Sequence, residues 1–91
     1  MSTISKTLTI TDPVGIHARP ASLFSQAAAN SGAKVTLSKG NDEPVEANSI
    51  LAIMSLGIKH NDTVTLTVDA ADNSSAESVA QNLIKILTEA Q

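Results

Sequence analysis

Polar and apolar positions alternate across residues 5–11, with Thr7 and Thr9 set against Leu8 and Ile10. A period of two predicts a half-buried strand. Asp12-Pro13-Val14-Gly15 ends it with turn-forming residues. From Ala18 the spacing becomes helical. Pro20, Leu23, Phe24, Ala27 and Ala28 form the apolar side, and Ser22, Ser25, Gln26 and Asn30 take the other. Pro20 fits the first helical turn, where its missing N–H costs little. Ser31-Gly32 is a helix stop. Alternation resumes over 33–38 around Val35 and Leu37. A turn at 39–42 and a short arm at 43–47 around Val45 then complete a hairpin. Pro44 marks that arm as an edge strand or a late starter.

Ser49 and Gly57 bracket about two turns of helix, Ser49 as an N-cap and Gly57 as a C-terminal stop. Its residues are apolar on nearly every side. So short a helix cannot bury them all, and exposure among Ile50, Leu51 and Met54 predicts a docking patch. His60-Asn61-Asp62 reads as a turn. Residues 63–69 form a strand with Val64, Leu66 and Val68 on one face and Thr63, Thr65 and Thr67 on the other. Asp72-Asn73-Ser74-Ser75 opens the last helix, whose apolar stripe is Ala76, Val79, Ala80, Leu83, Ile84 and Leu87. The order β-α-β-β-α-β-α, with a tight hairpin, predicts an α+β fold: one antiparallel sheet covered on one face by helices.

Ninety-one residues, 42% of them hydrophobic, match a single domain over 1–91 with one modest core. Phe24 is the only Phe, Trp or Tyr, so that core is aliphatic. Cysteine is absent, which excludes disulfides and thiolate metal sites and favours a cytoplasmic home. The net charge of −3, with no basic run, argues against nucleic-acid binding. No stretch approaches the roughly 20 apolar residues of a membrane span, and the N-terminus reads as a strand and not as a signal peptide.

The chemistry concentrates in Gly15-Ile16-His17-Ala18-Arg19-Pro20-Ala21. This segment sets His17 where a helix begins. Helix starts offer free N–H donors and the positive end of the helix dipole, and so hold anions such as phosphate. An imidazole there stays neutral and nucleophilic near pH 7. Once phosphorylated it is stabilised by the same donors, from Ala18 and Arg19, and by the Arg19 guanidinium. Gly15 allows the chain an approach that other residues resist. His60 sits in a polar turn and reads as surface. Ser49 can act simply as a cap, worth about 1 kcal/mol. It can also accept a regulatory phosphate, which a helix N-terminus tolerates, placing charge inside the docking patch. No metal or organic cofactor is expected.

The segment from Gly15 to Ala21 resembles the active-site segment of HPr, the histidine-containing phosphocarrier of the bacterial sugar phosphotransferase system. Ser49-Ile50-Leu51-Ala52-Ile53-Met54-Ser55-Leu56-Gly57 resembles that family's regulatory-serine segment, in a form closer to Gram-positive members. Length and element order match as well. The resemblance implies an open-faced β-sandwich, a four-stranded antiparallel sheet with three helices on one side. It implies a phosphoryl carrier that is not an autonomous enzyme. His17 would accept the group on Nδ1 from phosphorylated enzyme I, itself charged by phosphoenolpyruvate, and pass it to sugar-specific IIA proteins or domains. Arg19 would face the phosphate. Ser49 would be the target of HPr kinase/phosphorylase, and its phosphorylated form a ligand for a catabolite-control regulator. Partners would dock on Ser22, Gln26, Ile50, Leu51 and Met54 of a monomer.

Two features depart from the family pattern. Asn48 stands where many relatives carry lysine, and the hairpin over 39–46 is acidic and one residue longer. Two alternatives stay open at this point: a regulatory module acting through phosphorylated Ser49, and a carrier in a parallel phosphotransfer chain.

Overall fold

The computed structural model describes residues 2–11, 15–16, 18–40 and 42–89. Within them the order is β1 (Ser2–Thr9), α1 (Ala18–Asn30), β2 (Lys34–Lys39), β3 (Val45–Glu46), α2 (Ile50–Ser55), β4 (Thr63–Ala70) and α3 (Asn73–Glu89). The strands form one sheet in the order β1-β4-β2-β3, antiparallel throughout. This is the expected open-faced α+β sandwich. β3 lies at the edge, directly after Pro44, where a residue without an N–H does no harm to a ladder.

Register follows from burial. Ile4, Val68 and Val35 lie side by side across β1, β4 and β2, as do Lys6, Leu66 and Leu37 one row on. Val64, Leu66, Val68 and Leu37 are fully buried beneath the helices. A shift of one residue would turn this whole set to solvent. The opposite face is rich in hydroxyls. Ser5 and Thr67 meet at 3.2 Å and Thr7 and Thr65 at 3.3 Å.

β1 begins at Ser2, earlier than the alternation at 5–11 indicated, because β4 pairs with it all the way from Thr9↔Thr63 to Ser2↔Ala70. It also ends at Thr9. Ile10 then leaves the ladder yet stays buried, its N–H donating to the Asp62 carbonyl at 2.9 Å and its carbonyl accepting from Asn61 N–H at 2.8 Å.

α1 corrects one expectation. Its buried arc is Pro20, Ala21, Phe24, Ser25 and Ala28, whereas Leu23 is 44% exposed. The rows Pro20–Phe24–Ala28 and Ala21–Ser25 run side by side at four-residue spacing and turn together toward the core. Leu23 lies just beyond one flank of that arc, and Ser25 falls within the other. The buried Ser25 hydroxyl donates to the Ser22 carbonyl at 3.0 Å, which meets its polar demand inside the helix.

α2 starts as the Ser49 cap predicts, and α3 starts within the 72–75 segment expected to open it. Ser49 Oγ accepts the Ala52 N–H at 3.2 Å, and Asp72 Oδ1 accepts the Ser75 N–H at 2.7 Å. At the other end of α2, Gly57 takes a positive φ of 63° and donates to the Met54 carbonyl at 3.2 Å. Ala76, Ala80, Leu83 and Leu87 of α3 are buried, with Val79 and Ile84 packed at the margin of the same core.

Candidate functional site at the start of α1

His17 lies outside the described residues, and the site is built from what stands on either side of it. Before it, Gly15 and Ile16 are buried against the loop of residues 57–62. The Ile16 N–H donates to the Ile58 carbonyl at 3.1 Å. Gly15 has a φ of +84°, and a Cβ there would run into the Ile58 carbonyl oxygen and stand 2.6 Å from Lys59 Cα. Only glycine combines that backbone conformation with that approach.

After it, α1 begins at Ala18, with Ala18 and Arg19 both exposed and no acidic residue in the first turn. The opening amides of a helix have no acceptor within it. Pro20 has no N–H to offer, so Ala18, Arg19 and Ala21 supply the donors of this turn. The positive end of the helix dipole and the Arg19 guanidinium add to the same pull on an anion.

The 57–62 loop is itself braced. Asp62 Oδ2 accepts the Lys59 N–H at 2.7 Å and lies 3.3 Å from Lys39 Nζ. Lys39 Nζ also donates to the Gly57 carbonyl at 3.1 Å. The Lys59 N–H holds the Asp62 carboxyl below the usual carboxylate range; desolvation opposes it, and the Lys39 ammonium adds to the lowering. Asn61 turns the loop with a φ of 72°, a conformation asparagine tolerates.

Beside the start of α1 lies an apolar surface. Leu51 is 82% exposed, and Ile50, Met54 and Leu23 are each more than two-fifths exposed. Ile53 alone of α2 is buried and Ala52 is half-buried, whereas Ile50, Leu51, Met54 and Ser55 are exposed. Of the residues expected to dock partners, Gln26, Ile50, Leu51 and Met54 are exposed and Ser22 is half-buried; Gln26 Nε2 donates to Ser22 Oγ at 3.1 Å. Leu23 joins this exposed set although sequence spacing assigned it to the core. The available signal was its place four residues after Arg19 and three before Gln26, on the same side of the helix. Ser49 is half-buried at the α2 N-terminus, its side chain engaged as the cap. Among the described residues, no three His, Cys, Asp or Glu side chains gather in a way that could hold a metal ion. No described helix is long and apolar enough to cross a membrane.

The architecture is an open-faced α+β sandwich in which an exposed helix start, free of acidic residues and bearing Arg19, accompanies an exposed apolar patch. Comparison with known proteins identifies the family. The family model for the PTS HPr component phosphorylation site matches residues 4–89. The phosphocarrier protein HPr of Streptomyces coelicolor is 40% identical over 75 residues, covering 82% of this chain and 77% of the relative. That of Mycoplasma genitalium is 43% identical over 67 residues, covering 74% and 76%. The crystal structure of HPr from Bacillus anthracis superposes with a TM-score of 0.84 at 31% identity, covering 97% of this chain and all of that one. The chain belongs to the HPr family of the phosphotransferase system, whose members are phosphocarriers and not enzymes in their own right.

Proposed function

We propose that this chain accepts a phosphoryl group on His17 from phosphorylated enzyme I and delivers it to sugar-specific IIA proteins or domains. The observation that carries the reading is the junction at Gly15–Ile16 and Ala18–Arg19. A buried, hydrogen-bonded backbone enters on one side of the histidine, and an exposed, basic helix start leaves on the other. The lone pair of unprotonated Nδ1 attacks phosphorus, and the bond from phosphorus to enzyme I breaks in the same exchange. The first-turn amides and Arg19 stabilise the charge that arrives. Delivery repeats the exchange in reverse, with a IIA nucleophile attacking and the phosphorus–Nδ1 bond breaking. Both partners meet the chain, as a monomer in the cytoplasm, over Ser22, Leu23, Gln26, Ile50, Leu51 and Met54.

The same reading makes Ser49 a regulatory site for HPr kinase/phosphorylase, with a catabolite-control regulator as the partner of the modified form. Its support is positional. The Ser49 hydroxyl sits at the edge of the apolar patch, where a phosphate adds charge to the surface that partners cover.

Incubation with enzyme I and phosphoenolpyruvate, followed by mass spectrometry at neutral to alkaline pH, tests the carrier reading. The expected product carries one acid-labile phosphoryl group on His17. Normal stoichiometry in His17→Ala overturns the assignment.

A further inference from the structure

Resting on that carrier reading, we infer that Asp62 and Lys39 are positioning residues for phosphoryl transfer, acting on His17 through the backbone of the 57–62 loop. The segment that leads to the histidine is tied to this loop at both of its ends. At the entry, Ile10 N–H donates to the Asp62 carbonyl and Asn61 N–H donates to the Ile10 carbonyl, at 2.9 and 2.8 Å. At the exit, Ile16 N–H donates to the Ile58 carbonyl at 3.1 Å, with Gly15 packed against Ile58 and Lys59. The place of Ile16, and with it the point from which the chain enters His17, is set by wherever the loop holds the Ile58 carbonyl.

What fixes the loop is a pair of side chains. The Asp62 carboxylate closes it by accepting the Lys59 N–H, assisted by Asp62 N–H to the Lys59 carbonyl at 3.0 Å. Lys39 then clips its two ends together, one ammonium reaching both Asp62 Oδ2 and the Gly57 carbonyl. Lys39 can do so because it sits at the end of β2 on the helix-covered side of the sheet, in register with Val64, the second residue of β4 after the loop. Gly40 N–H to the Thr63 carbonyl at 3.0 Å holds that register. Ion pair and loop therefore form one unit, and its output is the position of a carbonyl that anchors the residue before the phosphoacceptor. A displacement of a reacting group by about 1 Å can cost a hundredfold in rate, so a looser loop lowers transfer without touching the reacting atoms.

The test measures turnover of phosphorylated enzyme I with the full chain as acceptor, together with the His17 imidazole signals in NMR spectra. Asp62→Ala removes both contacts, and we expect kcat to fall about tenfold with KM within about twofold, a transition-state loss and not a docking loss. Asp62→Asn keeps an acceptor for the Lys59 N–H and is expected to recover most of the rate. Lys39→Gln leaves the Asp62–Lys59 turn closed and removes the clip, for an intermediate loss of about threefold. It also carries the test should Asp62→Ala not fold. Asp72→Ala, which uncaps the remote α3, lowers thermal stability but leaves kcat and the His17 signals at wild-type values.

Wild-type kcat and unmoved His17 signals in folded Asp62→Ala or Lys39→Gln overturn the inference. So does an equal loss in Asp72→Ala. If wild type takes no phosphoryl group on His17, the carrier reading falls and the inference with it. Normal charging of His17 with unaffected variants removes the inference alone.

Discussion

The backbone N–H of Ile16 donates to the carbonyl of Ile58, joining the residue before His17 to a loop that enters β4. Gly15 makes this bond possible by lying flat against Ile58 and Lys59. Gly15→Ala combines an unfavourable φ with a collision against backbone that has nowhere to move. We expect a loss of about 1–3 kcal/mol in stability from the backbone conformation alone. Phosphoryl acceptance should fall by more than the folded fraction does. Chemical denaturation and acceptance from enzyme I, measured on the same preparation, check both.

Ser49 separates capping from charge. Ser49→Ala removes the acceptor for the Ala52 N–H and should cost about 1 kcal/mol, read as a lower urea midpoint. Ser49→Asp keeps a good N-cap and so should hold stability near wild type. Its negative charge at the rim of the apolar patch should raise KM toward enzyme I, with the stronger effect at low ionic strength.

Leu51 gives the cleanest test of the proposed docking patch, because at 82% exposure it contributes little to the fold. Leu51→Ala should change stability by no more than about 0.5 kcal/mol. Loss of an interface anchor of about 1–2 kcal/mol corresponds to roughly a five- to thirtyfold weaker encounter. Titration of the labelled variant with enzyme I distinguishes this from an effect on chemistry, which would appear in kcat.

Phe24 carries the opposite expectation. It is the only Phe, Trp or Tyr of the chain and is fully buried within the α1 arc. Phe24→Ala should cost about 3–5 kcal/mol, a large part of the roughly 5–15 kcal/mol that holds a typical domain. Phe24→Leu retains most of the volume and should cost much less. Calorimetric unfolding of the two variants gives the comparison.

Two carboxylates contribute to acid stability. Asp62 is held below its ordinary value first by the Lys59 N–H and then by Lys39. Asp72 is held there first by the Ser75 N–H and then by the Ser75 side chain. A group whose folded pKa is depressed contributes stability that is fully present above its unfolded pKa of about 3.9 and is lost as pH falls through the folded value. Both contributions should therefore be intact at pH 5 and above and disappear below about pH 4. Melting temperature followed from pH 7 to pH 2 should show a shallower acid limb in Asp62→Asn and in Asp72→Asn than in wild type.

Much of the fold is legible in the chain because its signals are local. Val64, Leu66 and Val68 alternate with threonines, and Ser49, Gly57 and Asp72 cap helices through bonds that reach no further than a turn. The α1 arc was harder to read. Leu23 and Ser25 stand on either side of Phe24, and helical spacing admits Leu23 to the apolar side as readily as Ala21. Which flank is covered depends on where α2 and α3 meet α1, a matter settled between elements.

The same division runs through the site. The sequence by itself determined the groups on which the proposed chemistry rests: a histidine, a helix start without acidic neighbours, an arginine, and a capped apolar helix. These follow from residue type and near-neighbour spacing. Only the tertiary structure decided how the histidine's approach is held. The bonds from Ile10 to Asp62, from Ile16 to Ile58 and from Lys39 to Asp62 join residues remote in the chain. They exist because β4 pairs with both β1 and β2, which brings the loop before β4, the end of β1 and the end of β2 to one corner of the sheet. No spacing along the chain encodes that meeting, since its cause is the burial of a sheet face that three separate strands complete together.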